Sequence, residues 1–349
     1  MLKHELEQAV KGGGEPLITE QDLSNGDYQQ ADLGGGTFQA VDFTNANLTG
    51  AKLKECNFIN CTFTNAKLDN ANLILANFIE PNGEGISIKG SDLRLATFID
   101  ANFAQGDLSN TNLENTNFIN PKFNAAKFIG AKLNQCSFIN GDLTACDFSK
   151  VDVYRANFIE CKVRGIVFTD AKLELPFFMK ADFTDYDFTK LKMIKPQFQE
   201  SILVGANFSH MDISQAGFMS ADLSQANFSH VLAKETNFIK ATLHQANFEN
   251  AKMPQALFQE AILTKVNFTN VYAEQTLMVK TDCTGGVFAG ADFTYADFSH
   301  AILTEADFTN VNLFTTNLHE IIEEKTNWRN ASRHLAKETD KTKQKAEKW

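Results

Sequence analysis

Large apolar residues recur along this chain at a spacing of five, a period that fits neither an α-helix nor a simple alternating strand. Leu23, Tyr28, Leu33, Phe38, Phe43, Leu48, Leu53 and Phe58 open a series that reaches Trp328 without a change of phase. The series has 62 positions; Phe fills 29 and Leu 19, and only Phe177 and Phe314 of the 31 Phe lie outside it. Two residues before each centre stands a small side chain, as at Ala46, Ala51, Cys56, Cys61, Ala66, Ala71 and Ala76. The residue between is mostly Asp, Asn or Lys, and the two that follow are mostly Ser, Thr, Asn or Gly. In extended backbone the centre and the residue two before it share a face. The pattern therefore marks the centres as core. It also overrides the two or three globular domains that 349 residues would otherwise suggest.

The unit reads A-(D/N)-(L/F)-(S/T)-x and resembles that of the pentapeptide-repeat family across roughly residues 21–328. The resemblance implies an all-β fold, a right-handed quadrilateral β-helix with four pentads per coil, here about 15 coils, with short terminal helices and with each centre and the residue two before it pointing inward. A second period is consistent with four pentads per coil. Phe38, Phe58, Phe78, Phe98, Phe118, Phe138 and Phe158 are 20 apart, while Leu33, Leu53, Leu73, Leu93, Leu113 and Leu133 form a different column. At one strand spacing of ~4.8 Å per coil, 15 coils would extend roughly 75 Å.

Three segments are expected: residues 1–20 as a capping helix and Gly-rich leader, 21–318 as the β-helix, and 319–349 as a C-terminal helix and basic tail. Leu2, Leu6 and Val10 share one face of the first helix, and Gly12–Gly14 would release the chain into the first coil. At the other end Ile321, Trp328 and Leu335 are spaced by sevens, as on a helix. Open coil ends are sheet edges, so both termini have edges to cover. One pentad, at Pro81, Asn82, Gly83 and Gly85, reads as a corner remodelled into a Gly-rich turn, since Gly83 occupies a centre. A second irregular stretch runs from Val163 to Pro196, where Ile166, Tyr186 and Leu191 are large for an inward small-residue slot. Local widening or a bend is expected there.

Composition narrows the chemistry. Net charge is −11, which argues against binding a phosphate backbone directly. No apolar run approaches the ~18 residues of a membrane span, so no membrane insertion is expected. The charged start MLKHELEQAV lacks a signal peptide's apolar core, so a cytoplasmic protein is expected. Five of the six Cys (56, 61, 136, 146, 161) occupy inward small-residue slots and Cys283 is a centre, so they read as buried apolar side chains. His210 and His230 are one coil apart and should stack, without a third ligand to complete a metal site. Neither a cofactor nor a resident metal is expected. The carboxylates are scattered singly over outward columns, so no catalytic residues are assigned and the protein reads as a non-enzyme.

One outward column stands apart. Following the centres come Ile59, Ile79, Ile99, Ile119, Ile139, Ile159 and Met179, an apolar ladder of seven coils spanning about 29 Å. The other three columns carry Thr, Ser or charges. Asn57, Asn77, Asn117 and Asn157 flank the ladder on one side, and Glu80, Asp100 and Glu160 on the other. An apolar strip with a polar rim is the signature of a docking surface. The expectation is a rigid scaffold that docks an unidentified protein partner along these seven residues, as a monomer or an end-to-end dimer. The family resemblance brings two alternatives. One is a DNA mimic that binds gyrase or topoisomerase IV, as quinolone-resistance members do. The other is an adaptor of a contractile (type VI) secretion system, since residues 5–33 resemble leaders of members encoded beside such systems.

Overall fold

The computed structural model describes residues 1–12 and 17–347, which form two compact units. The first comprises Met1–Phe177 with Leu191–Met193, and the second Phe178–Lys190 with Ile194–Trp349. Gly13 and Gly14, expected to release the chain into the first coil, lie outside the described residues.

Each pentad folds for local reasons. The Asp or Asn before a centre accepts a hydrogen bond from the amide two residues on, as Asp42 Oδ1 does from Thr44 N–H at 2.8 Å. The turn then closes when the amide three past the centre donates back, as Ala46 N–H does to Phe43 O at 2.9 Å. This geometry needs a left-handed residue at the turn's third position. Every fifth residue from Glu20 to Asn330 has positive φ, with Lys190 the single exception. Asn and Gly recur there because they occupy that region at least cost.

Successive coils pair residue i with residue i+20, all parallel and in register. In the first unit, strands from Leu17–Thr19, Thr37–Gln39 and Asn57–Ile59 through Asn157–Ile159 stack in this way. Bridges such as Asp42↔Thr62, Asn47↔Lys67 and Lys52↔Asn72 close the other three faces. The fold is thus a four-faced parallel β-solenoid. The same 20-residue pairing continues through the second unit to Asn317↔Lys337. Nine strands, Leu17–Thr19 through Phe177–Met179, occupy one face, fewer than the fifteen coils expected. In the second unit the corresponding positions close with single bridges, because the residue after each centre enters a turn: Ala221 N–H donates to Phe218 O at 3.1 Å and Ala241 N–H to Phe238 O at 3.0 Å.

The core is a set of aromatic stacks. Phe58, Phe78, Phe98, Phe118 and Phe138 follow one another at 4.7, 4.6, 4.8 and 4.9 Å, close to the inter-strand spacing. Neighbouring columns meet edge-to-face, as Phe58 and Phe63 do at 5.3 Å. Most of the small-residue slots hold Ala, Cys, Ser or Thr, and polar atoms there reach spare carbonyls: Cys56 Sγ donates to Leu33 O at 3.0 Å and Thr116 Oγ1 to Leu93 O at 2.8 Å. All six Cys are buried and unpaired.

Two irregularities have local causes. At Pro81–Gly85 the backbone does not depart from its neighbours; Asn82 bridges both Thr62 and Asn102. The change is in the core, where Phe103 moves over Gly83, so that a Cβ on Gly83 would lie 2.9 Å from its ring. Within Val163–Pro196, Pro176 and Pro196 have no N–H to close a turn. The backbone before them stays extended, as the strands Lys172–Glu174 and Lys192–Ile194.

Both ends carry caps. In the first unit the helix Lys3–Lys11 buries Leu6 and Val10, while Leu2 remains exposed. Glu7 Oε1 accepts from the Asp32 amide at 2.9 Å, and Lys11 Nζ meets Asp32 Oδ2 at 2.8 Å, tying the helix to the first coil. In the second unit, the helix expected from His319 is confined to Lys341–Ala346. Residues up to Asn330 follow the coil, because Trp328 still serves as a centre and packs on Phe308 at 4.6 Å, and Arg333–Leu335 form a short 3-10 turn. Arg333 covers that indole at 4.7 Å and pairs with Glu323 at 2.7 Å, holding the Glu323 carboxyl below its ordinary range.

Candidate interaction surface

The isoleucine ladder lies on the face of the first unit where the backbone is a true strand. The residue after each centre is extended, so its side chain stands off the sheet rather than turning a corner. Ile59 pairs with Ile79, Ile79 with Ile99, Ile99 with Ile119, Ile119 with Ile139 and Ile139 with Ile159, all in register. Proline reinforces this geometry: Pro81 and Pro121 stand where the turn amide would be, and neither has an N–H to donate to Phe78 or Phe118. Branched side chains suit such a surface, so part of the preference for Ile comes from the strand itself.

Ile59, Ile99, Ile119, Ile139 and Ile159 are half-buried, and Ile79 is exposed, at 36%. Met179, the seventh expected member, is half-buried and belongs to the second unit. The rims are organised. On one side Asn77 Nδ2 donates to Asn57 Oδ1 at 2.9 Å and Asn157 Nδ2 to Ser137 Oγ at 3.1 Å. On the other, Asn120 Nδ2 donates to Asp100 Oδ1 at 3.0 Å. Beside this acidic rim a shallow groove of about 440 Å³ runs past Asp100, Asn120, Pro121, Lys122, Gly141 and Glu160. Gly141 opens it: a Cβ there would sit 2.8 Å from Pro121 Cγ. The residues Pro81, Asn82, Gly83 and Gly85 keep to the coil and form no protrusion.

His210 and His230 stack face to face at 4.7 Å, as their 20-residue spacing implies. A different cluster escaped the sequence reading. Among the described residues, His300, His319, Glu320 and Glu347 bring one ligand atom each within 4.8 Å of the others. His300 and Glu320 are one coil apart, and that much was legible. Glu347 comes from beyond the repeat and no periodicity places it.

The family follows from the sequence itself. A model described as "Pentapeptide repeats (8 copies)" matches segments from 22–58 through 280–319, and one described as "Pentapeptide repeat region" matches 131–208. This chain is a pentapeptide-repeat protein. No curated protein sequence matches it. Among solved pentapeptide-repeat structures it is similar to QnrB1, a plasmid-mediated fluoroquinolone resistance protein, at 18% identity over 62% of this chain and 88% of that one, with TM-score 0.34. It is also similar to HetL, involved in heterocyst differentiation regulation in the cyanobacterium Nostoc sp. Strain PCC 7120, at 19% identity over 77% and 91% of the two chains, with TM-score 0.21. Rfr23 from the cyanobacterium Cyanothece 51142 matches at 20% identity over 38% of this chain and 90% of its own, with TM-score 0.26. No helix among the described residues is long and apolar enough to cross a membrane.

Proposed function

We propose that this protein is a non-enzymatic scaffold that docks a protein partner along Ile59, Ile79, Ile99, Ile119, Ile139 and Ile159 of the first unit. The observation that carries the reading is the combination of a flat, in-register apolar strip with rims that are already hydrogen-bonded. Such a surface is pre-organised, so a partner would not have to order it on binding. Each Ile fully covered would contribute roughly 1.5–3 kcal/mol. The remaining docking energy would come from the asparagine rim and the acidic rim beside the groove.

The test uses a photo-crosslinking residue at Ile119 in the full chain, with a second at Thr144 on another face as control. Site-specific crosslinks at Ile119, lost when Ile99, Ile139 and Ile159 become Thr, support docking on the ladder. Thr keeps the branched shape that the strand prefers, so the fold should survive. If the variant folds and captures the same partner equally well, the ladder is not the docking site.

A further inference from the structure

His319 lies at the end of the second unit and is only 2% exposed. The backbone N–H of Asp340 donates to its Nδ1 at 3.1 Å. Its Nε2 faces Glu347 Oε2, also at 3.1 Å. A backbone amide nitrogen has no lone pair to offer, so Nδ1 must be unprotonated and the neutral ring carries its proton on Nε2. That proton is donated to Glu347. The same assignment counts against a resident metal at this cluster. Ligation through Nε2 would drive the proton onto Nδ1, directly against the Asp340 N–H.

We propose that His319 is a proton-operated latch that holds the C-terminal segment from Asp340 to Glu347 over the last turn. Both bonds to the tail depend on one tautomer. A second proton has only Nδ1 to occupy, and there it meets the Asp340 donor head-on. The bond at Asp340 is then lost, and with it the position of the residue that starts the tail helix. Asp340 caps that helix by accepting from the amides of Thr342 and Lys343 at 2.8 and 3.2 Å.

The surrounding charges decide whether Glu347 could compensate. From the preceding turn, the His300 ring stands 5.4 Å from that of His319, nearly perpendicular to it. Its Nε2 lies 3.5 Å from the same Glu347 Oε2, and its Nδ1 lies 3.7 Å from Glu320. From the tail, Lys343 Nζ reaches Glu347 at 3.5 Å. Lys337 and Glu338 line the adjoining hollow of about 540 Å³ from one side and Asp297 from the other. A protonated His319 would therefore share the Glu347 carboxylate with Lys343 and with the His300 ring. The latched state binds fewer protons at His319 than the released state, so acid favours release. Release uncovers the hollow, which Asp340 and Lys343 line from the tail.

The test is amide hydrogen exchange by NMR on the full chain, with protection factors corrected for intrinsic rate at each pH. Protection of the Asp340 and Thr342 amides should fall at least ~10-fold between pH 7.5 and 5.5, while that of Phe248 stays constant. In His319→Asn the side-chain oxygen takes the place of Nδ1 and does not titrate, so the Asp340 amide should stay protected at both pH values. Unchanged protection in the natural chain overturns the proposal. So does a pH response of the same size in His319→Asn, which would place the switch at His300 or Glu347.

Discussion

At the scale of single residues, the repeat is a set of steric and hydrogen-bonding demands, each of which can be tested. Phe98 is fully buried and stacks at 4.6 and 4.8 Å on Phe78 and Phe118. Phe98→Ala should cost about 3–5 kcal/mol in chemical unfolding, because the ladder's backbone spacing prevents the cavity from closing. Leu95 is the reverse case. It holds a left-handed turn position at φ 61° while 50% exposed, a conformation that Gly adopts without strain. Leu95→Gly should raise the unfolding midpoint despite glycine's greater unfolded freedom. The thiols carry a pH dependence. Burial pushes Cys56, Cys146, Cys161 and Cys283 up to about 12. In the unfolded chain a thiol ionises near 8.5. Above that pH the unfolded state binds fewer protons than the folded one, so stability declines as pH rises, by up to ~1.4 kcal/mol per thiol per pH unit. Urea midpoints measured from pH 8 to 10.5 should show this fall, and it should be shallower in Cys146→Ala.

At the scale of elements, what distinguishes one face from another is whether the residue after the centre turns or stays extended. Proline makes that choice visible in the sequence. Pro81, Pro121, Pro176 and Pro196 all stand where a turn amide would donate, and each is preceded by a three-residue strand. The isoleucine column occupies such strands, whereas Met219 and Ile239 of the same column sit in closed turns in the second unit. The ladder therefore has a fold-level cause as well as the proposed docking role. The capping helix is the other element with a testable job. Its Leu6 and Val10 are buried and its Glu7 and Lys11 hold Asp32. Removing residues 1–11 should expose the first sheet edge and Ile18, and promote self-association by light scattering at neutral pH.

At the scale of the whole molecule, the acidic balance is not a uniform field. Opposite charges sit on adjacent coils, as in the bridges Asp32↔Lys52, Asp107↔Lys127, Lys122↔Asp142 and Asp142↔Lys162. Duplex DNA presents unbroken negative charge at one unit per ~1.7 Å. A surface that interleaves lysine at this frequency is a poor imitation, so the protein should not inhibit gyrase supercoiling at micromolar concentration. Inhibition in that assay would favour the DNA-mimic alternative over docking on the ladder.

The five-residue period, the twenty-residue columns, the aromatic core and the inward cysteines were all readable in the linear sequence. Each is set by contacts between residues a fixed number of positions apart, and such contacts repeat wherever the pattern does. The tertiary structure decided what periodicity leaves open. Whether Ile119 flanks a turn or a strand depends on which amide closes the corner. Phe103 fills the place above Gly83 by a shift between coils. Trp328, Arg333 and Glu323 close the last coil where a helix was expected, because burying an indole on Phe308 outweighs local helical spacing. Glu347 reaches His319 only because the tail folds back over the last turn, and no spacing rule relates a chain end to the coil it covers.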